Sequence, residues 1–131
     1  MVCPNTDLTG AHSMAVKGSG FGLQAADVGW AATQWVPDVA RHGNGDVSPL
    51  HAKDVSRLPP TVVVTAEHDP LRDEGDLFAA RVAAAGVPVV HRCEAGLPHG
   101  FVQGMNLTST FAAAAVERFI ADVRVAMRPL A

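Results

Sequence analysis

The sequence has no tyrosine and only five phenylalanines and two tryptophans among its 131 residues, so aliphatic side chains must fill most of any core. Cysteine is equally scarce. Cys3 and Cys93 form no Cys-x-x-Cys pair and lie near no histidine at metal-ligand spacing, and they read as buried, reduced thiols of a cytosolic protein. Charge of one sign is lacking too. Ten basic and thirteen acidic side chains leave a formal net charge of -3 without a long run of either sign, which argues against nucleic acid or an anionic membrane as a partner. No apolar stretch approaches the roughly 20 residues of a membrane helix, and Met1-Val2-Cys3-Pro4-Asn5 has neither the basic nor the apolar region of a signal peptide. Internal repeats and low-complexity tracts are also missing.

What is present suits one globular domain of ordinary size: 48% of the residues are hydrophobic and 18% charged, which excludes a disordered chain. Residues 1–4 read as the tail of a strand. Residues 5–22 are rich in Asn, Asp, Ser and Gly and favour loop. Residues 23–35 can form a helix with Ala26, Trp30 and Ala31 toward one side, ended by Pro37. Thr61 to Ala66 is a Val-rich run without alternation, as expected of a parallel strand covered on both faces. Residues 73–85 read as a helix with Leu77, Phe78, Val82 and Ala85 on one stripe and acids in its first turn. A strand over residues 88–93 follows, then a helix over about 109–127. There, Phe111, Ala115, Val116, Phe119, Ile120, Val123 and Met127 would form a core stripe. The order implies an α/β chain with about three parallel strands and helices on both faces, a three-layer α-β-α plan.

Two side chains stand out against this frame. Asp69 follows the first Val-rich strand, and His99 follows the second. Sites in such sheets form at the carboxyl ends of the strands. A carboxylate and an imidazole on adjacent strand-end loops are the acid and base of an acyl-transfer triad. Asp69 could equally cap the helix beginning near Asp73, and His99 could be a surface loop histidine. His68 suggests a metal ligand only in company with His91 and Glu94, which are weak companions, so a solvated side chain is expected. Asp73 and Glu74 suit partners of the helix dipole. The Gly18-Ser19-Gly20-Phe21-Gly22 loop lacks the preceding strand of a dinucleotide site. Trp30 and Trp35 are expected to pack their helix rather than shape a pocket.

Several segments together carry a resemblance. They are Ser48-Pro49-Leu50, Leu58-Pro59-Pro60, Val64-Thr65-Ala66-Glu67-His68-Asp69-Pro70-Leu71-Arg72-Asp73-Glu74-Gly75, Ala84-Ala85-Gly86-Val87-Pro88 and His99-Gly100-Phe101. In this order they resemble the C-terminal part of an α/β-hydrolase, and more narrowly the hormone-sensitive-lipase-like branch of esterases and lipases. Cys3-Pro4-Asn5-Thr6-Asp7-Leu8 resembles the segment after the sixth strand. The resemblance implies a partial α/β-hydrolase domain over residues 1–131, a carboxylic-ester hydrolase by descent, and small acyl esters as substrates of the intact enzyme. It implies no cofactor and no metal. Asp69 would orient His99, and His99 would be the general base.

The family's His-Gly-Gly-Gly oxyanion loop and its Gly-Asp-Ser-Ala-Gly nucleophile elbow do not occur in this sequence, and none of Ser13, Ser19, Ser48, Ser56 and Ser109 sits in Gly-x-Ser-x-Gly. The expectation is therefore essentially no ester hydrolysis by this polypeptide alone. The serine would come from a separate chain or an upstream stretch. The alternative is a non-catalytic remnant that acts as an interaction module. Either way the first strand would present an open apolar edge, and self-association is expected there or at the 88–93 edge strand.

Overall fold

The computed structural model describes residues 1–10, 22–105 and 108–128. At its centre are two parallel strands, β1 (Thr61–His68) and β2 (Val89–Pro98), paired from Thr61↔Val89 through Ala66↔Glu94. The expected third strand is reduced to one parallel bridge, Val2↔Val64. It is held by Cys3 N–H to Val64 O at 2.8 Å and Val64 N–H to Met1 O at 2.9 Å. Among the described residues the helices are α1 (Ala25–Trp35), α2 (Arg72–Ala84) and α3 (Thr110–Ala126).

The lack of alternation in β1 has its reason in the layers. Val63 points into a cluster with Phe78, Ala79 and Val82 of α2, together with Val55 and Val87. Val62, Val64 and Ala66 point the other way, toward Leu97, Phe101 and Ala112 and Ala115 of α3. Both faces are covered, so every position from Val62 to Ala66 is buried and apolar or hydroxyl-bearing. Burying a valine side chain here stabilises the fold by about 1.5–3 kcal/mol relative to leaving it in water.

The helix stripes differ from the expected ones. In α2 the buried positions are Glu74, Gly75, Phe78, Ala79 and Val82, whereas Leu77 and Ala85 face out. The cause is close approach. A Cβ on Gly75 would lie 2.8 Å from Thr65 Cγ2 and 3.4 Å from Pro4 Cγ, so the helix meets the strand on its glycine side. In α3 the small Ala112 and Ala115 lie flat on the sheet, with Val116, Phe119 and Val123 beside them. Phe111, Ile120 and Met127 are exposed, which corrects the expectation that Phe111 belongs to the core. Trp30 and Trp35 are also exposed, at 67% and 66%, because α1 buries Val28 and Ala32 instead. The expectation that the tryptophans pack the helix is thus overturned. Cys3 is buried as expected, but Cys93 is exposed.

β2 continues past the expected end at residue 93. Glu94, Ala95 and Gly96, just beyond that expected end, form a bulge within the strand. The pairing jumps from Ala66↔Glu94 to His68↔Pro98, so β1 advances two residues while β2 advances four. Gly96 takes the positive φ of 68° that the bulge requires. Its N–H donates to Glu67 Oε2 at 2.7 Å, which ties the bulge back to β1. Restored pairing at Pro98 then brings the two residues that follow, Asp69 and His99, side by side.

The described residues between 5 and 60 are mostly irregular apart from α1; Leu8, Ala32, Val36 and Val47 pack into a small apolar cluster, and buried hydrogen bonds tie the loops down. Glu74, fully buried, accepts from the N–H groups of Thr6 at 2.5 Å and Asp7 at 3.0 Å. Asp73 and Glu74 both lie in the first turn of α2, as expected of dipole partners; Glu74 also serves the loop, and Asp73 pairs with Arg72 at 2.6 Å. Buried Ser48 accepts from Leu8 N–H at 2.8 Å and donates to His42 O at 2.5 Å. Arg81 of α2 donates to the carbonyls of Leu50 and Ala52. A buried loop must satisfy its backbone groups in some such way.

Candidate active site

Asp69 lies immediately beyond β1, and its side chain is fully buried. Leu71 N–H donates to its Oδ1 at 2.8 Å, just before α2 begins. His99 Nδ1 lies 2.9 Å from its Oδ2. The helix-entry role and the pairing with histidine are therefore both present, one on each carboxylate oxygen. A carboxylate only accepts, so the shared hydrogen sits on Nδ1. The neutral ring then keeps its lone pair on Nε2. His99 is 25% exposed, so its outer edge is reachable while its inner edge is clamped. Gly100, at φ 72°, turns the chain directly after it, and buried Phe101 anchors the turn in the core.

Cys3 is the third group at this corner. Parallel pairing of residues 1–3 with β1 brings it to the same strand ends as Asp69. Its sulfur lies within 4.8 Å of the ligand atoms of Asp69 and His99. Burial pushes the thiol up to about 12. Sequence reading put Cys3 at a strand end but did not connect it with Asp69. The strand order carried that signal, since a first strand parallel to the second ends beside its carboxyl terminus.

The other expected candidates are placed elsewhere. His68 is half-buried, and the weak companions His91 and Glu94 are engaged by Asp76 at 2.8 Å and Arg118 at 2.5 Å. Among the described residues the cluster of Cys3, Asp69 and His99 is the one with a metal-ligating arrangement, and it excludes His68. Ser48 is locked in the buried loop network, Ser56 bonds Asp54 at 2.7 Å, and Ser109 caps α3 by accepting from Ala112 N–H. Ser13, Ser19 and the glycine loop of residues 18–22 lie outside the described residues apart from Gly22. No helix among the described residues is long and apolar enough to cross a membrane. An apolar hollow of about 240 Å³ between Thr61, Pro88, Val89 and Val125 sits at the opposite ends of the strands, away from this chemistry.

A second acid–histidine pair lies in the loop region. His51 Nε2 is 2.9 Å from Oδ1 of fully buried Asp7. The same oxygen accepts from Thr9 N–H at 3.0 Å and from Thr9 Oγ1 at 2.6 Å.

Known proteins resemble the chain in both sequence and structure. The α/β-hydrolase fold family profile matches residues 1–103. The carboxylic ester hydrolase LipN of Mycobacterium tuberculosis is 38% identical over 109 residues, which is 82% of this chain and 29% of LipN. Hormone-sensitive lipase of Bos taurus is 40% identical over 80 residues, 57% of this chain and 11% of that protein. Among solved structures, the thermostable carboxylesterase EstE1 from a metagenomic library superposes with a TM-score of 0.88 at 32% identity, covering 98% of this chain and 44% of EstE1. The Pyrobaculum calidifontis esterase gives a TM-score of 0.85 at 34% identity, covering 95% of this chain and 41% of that one. The chain thus spans under a third of LipN and under half of either esterase. With the parallel sheet, the two helix layers and the strand-end pair in place, this chain belongs to the α/β-hydrolase fold family, in its hormone-sensitive-lipase-like branch of esterases.

Proposed function

We propose that this chain is the acid–base portion of a carboxylic-ester hydrolase, with His99 as general base, Asp69 as its orienting acid, and the nucleophilic serine supplied from outside these residues. The observation that carries the reading is the 2.9 Å contact between His99 Nδ1 and the fully buried Asp69 carboxylate. It fixes the ring with Nδ1 protonated and Nε2 basic, and it stabilises the imidazolium formed when Nε2 takes a proton. In the assembled enzyme Nε2 accepts the serine proton as the hydroxyl attacks the ester carbonyl. It then returns that proton to the departing alkoxide, and the same cycle with water releases the acid. Short acyl esters are the substrate class, by likeness to the carboxylesterase relatives. Residues 1–131 act as a partial domain, and residues 1–3 await a neighbouring strand.

The test is hydrolysis of p-nitrophenyl acetate and butyrate. The expected results are no turnover by the 131-residue chain alone and turnover when it is co-expressed with a segment bearing the oxyanion loop and nucleophile elbow. The restored activity must vanish in His99→Ala and Asp69→Asn. Restored activity that survives His99→Ala would contradict the proposal.

A second reading, self-association in place of catalysis, is favoured by the open side of residues 1–3. Sizing at micromolar concentration tests it, and a compact monomer would count against it.

A further inference from the structure

Cys3 is, among the described residues, the one non-glycine with left-handed backbone, at φ 45°. Such backbone is uncommon outside glycine and marks a local constraint worth explaining. Here it turns the chain out of the sheet after a single bridge, with the sulfur beside Asp69 and His99. The ligand atoms of Cys3, Asp69 and His99 all lie within 4.8 Å of one another. One thiol, one carboxylate and one imidazole converge from three separate chain segments, and the carboxylate is the fully buried member.

We propose that Cys3, Asp69 and His99 form a capture site for a thiophilic divalent cation of the zinc class, with solvent as the fourth ligand. All three donors are zinc ligands, and three protein ligands with an open position is the arrangement of an accessible site rather than a sealed structural one. Zinc–nitrogen and zinc–oxygen bonds of about 2.1 Å in a tetrahedron set N···O at about 3.4 Å. His99 Nδ1 and Asp69 Oδ2 are 2.9 Å apart, so the pair opens only slightly to admit the ion while the sulfur closes in. A sulfur donor beside nitrogen and oxygen favours a cation that binds thiolate strongly. This selects zinc, cadmium or cobalt over magnesium or calcium.

The step balances simply. The cation takes the place of the Cys3 thiol hydrogen, which leaves to solvent as a proton. The imidazole hydrogen passes from Nδ1 to Nε2, so the ring stays neutral, and the carboxylate binds as it stands. A consequence that rests on the esterase reading is inhibition, because an Nε2 that carries hydrogen has no lone pair for the serine proton. The binding itself rests only on the three donors.

Cobalt(II) is the probe, titrated into the 131-residue chain and its Cys93→Ser variant. Both are expected to show the near-ultraviolet thiolate-to-cobalt charge-transfer band and the visible bands of tetrahedral cobalt, and zinc should compete both away. Cys3→Ser must lose the charge-transfer band, and His99→Gln must weaken cobalt binding tenfold or more, with folding of each checked by circular dichroism. His99 is partly exposed, so its variant decides the matter even if Cys3→Ser fails to fold. No band in folded protein at millimolar cobalt, a band that survives Cys3→Ser, a band lost in Cys93→Ser, or unchanged affinity in His99→Gln overturns the site. The readout involves no ester hydrolysis, so failure here leaves the relay proposal standing, and failure of the relay proposal leaves this site standing.

Discussion

Among the described residues, two histidines face fully buried aspartates at the same 2.9 Å separation: His99 on Asp69 and His51 on Asp7. They teach different things. His99 offers Nδ1 to its acid, so the unprotonated nitrogen is the outward Nε2. His51 offers Nε2, so its basic nitrogen is the Nδ1 nearer its own backbone. The Asp69 carboxylate divides its oxygens between the entry of α2 and the histidine. The Asp7 oxygen is shared between His51 and two donors of Thr9, so it closes a loop. One pair holds a base ready at strand ends, and the other clasps an irregular segment. Distance and burial alone do not separate them; the ring nitrogen used and the elements behind it do.

The largest expected effect that separates the pairs is on catalysis. In the complemented enzyme, Asp69→Asn should lower kcat on the order of 10⁴-fold by allowing the wrong tautomer. Asp7→Asn should leave kcat within a few-fold and lower thermal stability instead. Equal losses of kcat in both variants would erase the distinction.

Next come effects on the loop network that the Asp7 clasp belongs to. Glu74→Ala strips the acceptor from two buried N–H groups and should cost about 2–4 kcal/mol, measured by urea unfolding. Glu74→Gln, which keeps one acceptor oxygen, should cost less. Gly75→Ala forces a methyl against Thr65 and Pro4 and should cost about 1–3 kcal/mol. An unchanged unfolding midpoint would show that α2 can shift away from the strand.

The smallest effect is a surface one. Asp122 is held below the usual carboxylate range by its hydrogen bond from Arg92. Its folded value is depressed, so its contribution is present above the ordinary carboxylate range and is lost as pH falls below about 4. Asp122→Asn should therefore flatten the acid limb of stability slightly, by an amount that salt reduces further. An unaltered acid limb would show that the pair contributes nothing.

The parts of this structure that sequence made legible are those that depend on local pattern. The unalternating valines of residues 61–66 announced a strand covered on both sides, and helix ends fell within a residue or two of expectation. The position of Asp69 and His99 after successive parallel strands was enough to place them at one sheet end. What stayed hidden depends on long-range fit. Glu94, Ala95 and Gly96 lie beyond the expected strand end, and only pairing with β1 makes them a bulge that returns Pro98 to the ladder. Gly75 is ordinary in a helical pattern until Thr65 approaches it, and that contact moves the buried stripe off Leu77 and Ala85. Glu74 was legible as a first-turn acid, but its second role was not, because its partners Thr6 and Asp7 are distant in the chain. Phe111 and the tryptophans point outward because small neighbours, Ala112 and Ala32, let the backbone sit closer to the core.

The most direct test of the paired geometry is the tautomer of the two histidines in the isolated chain, read from long-range proton–nitrogen correlations of the imidazoles above the pH where they are neutral. The account predicts hydrogen on Nδ1 of His99, in a low-field resonance lost in Asp69→Asn, and hydrogen on Nε2 of His51. A neutral His99 carrying its hydrogen on Nε2 would contradict it.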